Sequence, residues 1–165
     1  MKAYERLLKY VRVCTKSSDE SGLHPSTDCQ FELARILKDE LISLGCSDVR
    51  LDESCYLYAA LPATPGYEDK SKIGFIAHMD TAPDFCGEGV SPIIHENYDG
   101  GAIALSDSGR VLDPKQFPHL TGLAGRTLIT TDGKTLLGAD DKACNSYKTR
   151  ASCEASDGQQ AHCGQ

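Results

Sequence analysis

The sequence predicts an α/β fold, with helices packed on a half-built mixed sheet, and three features of its patterning point there. Two early segments repeat apolar residues at helical spacing, several β-rich runs follow, and the strongest apolar run, Ile73 to Ala77, stops at His78. The first helix is expected over about 2–14, where Tyr4, Leu7, Leu8 and Val11 share a face between Lys2, Glu5, Arg6 and Lys9. The second is expected over 27–44. Thr27 with Gln30 makes a capping box, Leu33, Leu37, Leu41 and Leu44 form the stripe, and Gly45 stops the helix. Strands are expected at "SDVRLD", "CYLYAALP" and "KIGFIAH", the last belonging to the mixed sheet. Residues 84–121 read as loop. "RTLITT" and "KTLLGA" flank Asp132-Gly133, a hairpin signal.

After Ala143 the pattern stops. Residues 144–165 contain no Leu, Ile, Val, Phe or Met, too little apolar area to offset the entropy of ordering. The expected organisation is therefore one folded unit over 1–143 and a disordered or out-of-frame tail over 144–165.

At 165 residues the chain is long enough to bury a core. A net charge of -7 argues against nucleic acid and anionic membrane surfaces as partners. The start, "MKAYERLLKYVRVCTK", has no continuous apolar stretch of a secretory signal, and no later run is long enough to span a bilayer, so a cytoplasmic location is expected. Eight cysteines without any C-x-x-C pair give neither a disulfide framework nor a zinc ribbon. Cys14, Cys29, Cys46 and Cys55 are expected to be buried as small apolar residues.

Two clusters carry chemistry. His78 and Asp80, two apart in an extended chain, point to one side just past a strand, where α/β sheets bind ligands. A neutral imidazole there is a natural metal ligand, and a carboxylate beside it fixes its tautomer. The bland alternative is a surface His and a loop-capping Asp. Asp140 and Asp141 place two like charges side by side, which calls for a cation, Lys142 or a divalent metal. Their bland alternative is a solvated turn. "GKT" at 133–135 is no phosphate loop, because Leu128 stands where the upstream glycine is needed.

"HMDT" closing an apolar run, followed by "LITTDGKTLLGADDKA", resembles the dinuclear zinc exopeptidase family. "PST" at 25–27 and "ENYDGGAIAL" at 96–105 add to that resemblance, which is nearly collinear over 1–143 and looks most like an aminopeptidase acting on tripeptides. It implies a partial zinc-exopeptidase catalytic domain, whose lid domain and C-terminal half are absent. It implies that His78 is a ligand of one metal, that Asp140 bridges two zinc ions, and that Asp80 is the catalytic-site acid behind His78. The bond between Asp140 and Asp141 is then expected to be cis in a structure that follows the family, and strained or trans in the isolated chain in solution. A hydroxide shared by two zinc ions is a nucleophile at neutral pH, and a glutamate handles its proton. The family's Glu-Glu pair and its remaining ligands lie in segments not found in the 165 residues, so weak zinc binding and an inactive isolated chain are expected. Small peptides, tripeptides in particular, are the implied substrates, and the oligomeric state stays open. The alternative is a non-catalytic metal-binding or interaction module of the same family. Where the family continues "KAGIAE", this chain has "KACNSYK", as a shift of reading frame after Ala143 would produce.

Overall fold

The computed structural model describes residues 1–146, which form three α-helices and six short strands. The first helix, α1 (Ala3–Tyr10), is shorter than its apolar pattern suggests. Its start is fixed by the backbone N–H of Lys2, which donates to the Glu5 carboxylate at 2.7 Å. Its buried face centres on Arg6 and Tyr10, while Tyr4 is exposed. The cause lies opposite, on the second helix. Glu40 there accepts from Lys9 Nζ at 2.6 Å and from the Tyr10 hydroxyl, and Arg6 Nε lies 3.7 Å away, so polar ends are satisfied where apolar stems pack.

The second helix, α2, runs Gln30–Ser43 and is capped at Cys29 rather than Thr27. The Thr27 hydroxyl is committed elsewhere, donating to the Lys16 carbonyl at 2.6 Å. Leu33 and Leu37 of α2 join Tyr10 and Val13 in the main core. At the far end Gly45 takes φ 81 and the Cys46 N–H donates back to Leu41 O at 3.1 Å, which closes the helix as expected.

The strands are β1 (Ser47–Leu51), β2 (Leu57–Ala60), β3 (Ile93–His95), β4 (Ile103–Ala104), β5 (Val111–Leu112) and β6 (Leu128–Thr130). They pair antiparallel as β1-β2, β3-β6 and β4-β5, three separate two-stranded sheets. The expected mixed sheet is not formed among the described residues, and 73–78 is in no strand. A strand apolar on both faces needs neighbours on both sides, and no described strand reaches it. Ile73, Phe75 and Ile76 are accordingly 80%, 86% and 99% exposed. Just beyond, Thr81 is the first residue to pair, in a parallel bridge with Lys16.

"KTLLGA" is no strand either, and β6 pairs with β3 instead. Asp132-Gly133 makes a tight turn without a hairpin: Asp132 Oδ1 accepts the Lys134 N–H at 3.0 Å, and Thr131 Oγ1 accepts that of Gly133 at 3.1 Å. Beyond the turn the Leu136 N–H donates to Cys86 O at 2.7 Å. A second, smaller core of Tyr98, Ile103 and Leu120 lies under the 96–128 region.

The last element, α3 (Ala139–Ser146), leaves helical geometry at Asp140 and Asp141 and carries three residues of the expected tail. Asn145 and Ser146 are buried, so the folded part extends past 143. The remainder of that tail, 147–165, lies outside the described residues. Of the four cysteines expected inside, only Cys55 is buried. Cys14, Cys29 and Cys46 are half-buried, because the polar turn at 16–28 and the end of α2 cover them only on one side. No helix among the described residues is long and apolar enough to cross a membrane.

Candidate metal centre

His78, Asp80 and Asp140 come together. The His78 ring places Nδ1 3.1 Å from the Asp80 carbonyl and 3.2 Å from its carboxylate, a local contact that i and i+2 spacing supplies. Its other nitrogen, Nε2, faces Asp140 Oδ1 at 3.0 Å across 62 residues of sequence. The contact is open to solvent, the Asp140 side chain being 81% exposed. The Asp140-Asp141 peptide bond is cis.

Three contacts bring Asp140 to His78. Lys142, only 2% exposed, sends Nζ inward to the Val13 carbonyl at 2.9 Å and anchors α3 against the exit of α1. Asn145 Nδ2 donates to the His78 carbonyl at 2.8 Å. Thr81, three residues past His78, donates its N–H to Thr15 O at 3.0 Å and accepts the Ser17 N–H at 2.9 Å. Lys142 is therefore an anchor and not the neutralising partner that its place beside Asp140 and Asp141 suggests. Neither it nor Asn145 stands out in the sequence as a site residue. The only signal is that i, i+4 helical spacing sets Asn145 one turn from Asp141, whose carbonyl it also meets at 3.3 Å.

The electrostatics of the His78 pair are informative. Partial burial lowers the imidazole pKa, but the Asp140 hydrogen bond and the Asp80 charge outweigh it, so the net direction is upward. With Nδ1–H donated to Asp80, Nε2 and the Asp140 oxygen are both electron-pair donors. The space they share takes either a proton or a metal ion. Two ligands each about 2.0 Å from one zinc at a tetrahedral angle lie about 3.3 Å from each other, close to the 3.0 Å found here. The donor pair thus fits two positions of a zinc site. It does not fill one: among the described residues no group of three or more His, Cys, Asp or Glu could hold a metal ion.

Comparisons with known proteins find peptidases over most of this chain. The chain is 51% identical over 140 residues to peptidase T of Bacillus mycoides, 52% over 142 residues to that of Alkaliphilus oremlandii, and 53% over 140 residues to that of Listeria innocua. Each match covers 84% of this chain and 34% of the relative. Over that stretch the chain is similar to peptidase T at about half of its positions. It spans about a third of the length of the curated relatives it matches. No family model matches the chain.

Proposed function

We propose that residues 1–143 are the N-terminal part of the catalytic domain of a zinc-dependent aminopeptidase that removes the N-terminal residue from tripeptides. The carrying observation is the facing pair, His78 Nε2 and Asp140 Oδ1 at 3.0 Å, with His78 oriented from behind by Asp80. In this reading His78 and Asp140 would hold the metal, and Asp80 is the positioning acid. The metal, when bound, supplies a nucleophilic hydroxide and polarises the scissile carbonyl. The chain's own residues supply orientation. Asp80 holds Nδ1–H so that the Nε2 lone pair points outward, and Lys142 and Asn145 hold Asp140 in register with it. Small peptides as substrates and a cytoplasmic location belong to the same proposal.

Two donors among the described residues are fewer than the four that a zinc ion takes, so weak zinc binding and no hydrolysis by this chain alone are expected. That shortage also favours the second reading, a non-catalytic module of the same family. A chimera separates them: residues 1–143 joined to the remaining two-thirds of the Bacillus mycoides relative. The proposal expects tripeptide hydrolysis by the chimera, lost with bound zinc in H78A and D140A. A chimera that folds and binds zinc yet hydrolyses no tripeptide, or hydrolysis that survives both substitutions, overturns it.

A further inference from the structure

We infer that Cys14 and Cys29 form a dithiol–disulfide modification site whose oxidant is a small neutral or cationic disulfide. None of the residues of this site is one of the donors His78 and Asp140, although Lys142 lies within electrostatic reach of both sulfurs. The two sulfurs lie 3.5 Å apart, with Cys14 donating its S–H to Cys29. A disulfide is about 2 Å long, so closure asks for roughly 1.5 Å of side-chain movement at two half-buried positions. The backbone is already held for it. The Thr27 hydroxyl donates to the Lys16 carbonyl at 2.6 Å and lies 3.3 Å from the Cys29 sulfur, tying the turn that carries Cys29 to the segment that carries Cys14.

Both cysteines line one cavity of about 420 Å³. A small reagent therefore reaches both sulfurs from one side, which a pair packed in a core does not allow. The cavity wall also sets a charge preference. Lys16 is opposed there by Asp19, Glu20 and Glu88, one cation against three carboxylates. An anionic disulfide such as oxidised glutathione is repelled, and a cationic one such as cystamine is drawn in.

The chemistry closes without any further reactant. The thiolate of one cysteine attacks a sulfur of the reagent. A protein–reagent S–S bond forms, the reagent's own S–S bond breaks, and one reagent thiol leaves with a proton from water. The second cysteine loses its proton to water and attacks the protein sulfur of that mixed disulfide, expelling the second reagent thiol. Two cysteine thiols are oxidised and one disulfide is reduced. Burial pushes the Cys14 thiol up, with the Cys29 hydrogen bond adding to it, so the reaction quickens as pH rises.

The test treats the full chain with cystamine or with oxidised glutathione and follows intact mass and the cysteine-containing peptides. With cystamine the expected product is lighter by two hydrogens, carries no adduct, and maps to Cys14 joined to Cys29. Its formation is expected to be about tenfold faster than with oxidised glutathione. C14S should retain a lasting adduct on Cys29, and C29S one on Cys14. Stable adducts on both cysteines of the unmodified sequence, or a bridge from either to another cysteine, overturn the dithiol. Equal or faster reaction with oxidised glutathione overturns the oxidant class.

Discussion

Replacing Tyr10 by Phe should weaken the fold at neutral pH and strengthen it at alkaline pH. Tyr10 is 1% exposed, and its hydroxyl donates to the Glu40 carboxylate, which Lys9 also grips at 2.6 Å. Phe keeps the ring in the core and leaves one lone pair of a part-exposed carboxylate unfilled. A hydrogen bond to a charged acceptor is worth about 1.5–3 kcal/mol, so about 1.5 kcal/mol is the expected loss at pH 7, the low end suiting an acceptor that keeps Lys9. Burial, then the Glu40 hydrogen bond and charge, push the Tyr10 pKa well above its usual 10. The sign follows directly. Above pH 10 the unfolded chain releases this proton and the folded chain keeps it, so stability present below pH 10 is lost as pH rises, at about 1.4 kcal/mol per pH unit. By pH 11 the loss is about 1.4 kcal/mol, which offsets the advantage of Tyr over Phe. The two proteins should therefore be equally stable near pH 11, with Y10F the more stable beyond it. Other titrating groups are common to both and cancel in the difference. Urea unfolding at pH 7 to 11.5 measures it, followed by circular dichroism because the chain has no Trp. A Y10F deficit that stays constant over that range would refute the reasoning.

Leu33, with no exposed surface in the main core, should cost about 3 kcal/mol when cut to Ala, read from the urea midpoint. Gly138→Ala should destabilise by about 2 kcal/mol, since φ is 67 there and a Cβ would sit 2.8 Å from the Thr81 methyl. Thermal melts check it, and an unchanged melting temperature would contradict the close approach. The unpaired apolar run should bind 1-anilinonaphthalene-8-sulfonate, and F75K/I76K together should abolish most of the fluorescence. In the zinc-binding chimera, D80N should lower zinc affinity by about tenfold or more, read by competition with a chelating dye, because the His78 ring loses its orienting charge.

The parts of the fold legible in the sequence are those whose causes are local. Both long helices, β1, β2 and β6 follow from periodicity and β propensity, and the Gly45 stop follows from a left-handed position that suits glycine. The face of α1 is only partly legible from apolar residues: Val11 is buried, Leu7 and Leu8 are half-buried and Tyr4 is exposed, while Arg6 and Tyr10 are buried with their polar ends on Glu40 of another helix. The run at 73–78 fails for a related reason. Its composition states that both faces are to be covered, and it cannot state by what. The partner of β6 is equally non-local: the Asp132-Gly133 signal describes the turn correctly, but pairing with Ile93–His95 is decided thirty-odd residues away.

The site divides along the same line. His78 and Asp80 are one local unit, set by alternation in an extended chain, and the 3.2 Å contact needs nothing beyond it. Asp140 is held at the site by burial of its neighbour. Lys142 is a buried charged residue whose Nζ donates to the Val13 carbonyl, and burial drives its pKa down to about 8. Such a group is costly to bury, and the return is positional: once Nζ reaches Val13 O, the two residues before it can only emerge at the surface beside His78. In sequence the "DDK" run reads as a charge cluster that balances itself. In three dimensions its members separate, Lys142 inward as an anchor and Asp140 outward as the presented carboxylate, its Oδ1 3.0 Å from Nε2 of His78. That separation brings the two electron-pair donors face to face through contacts that all lie within residues 13–145.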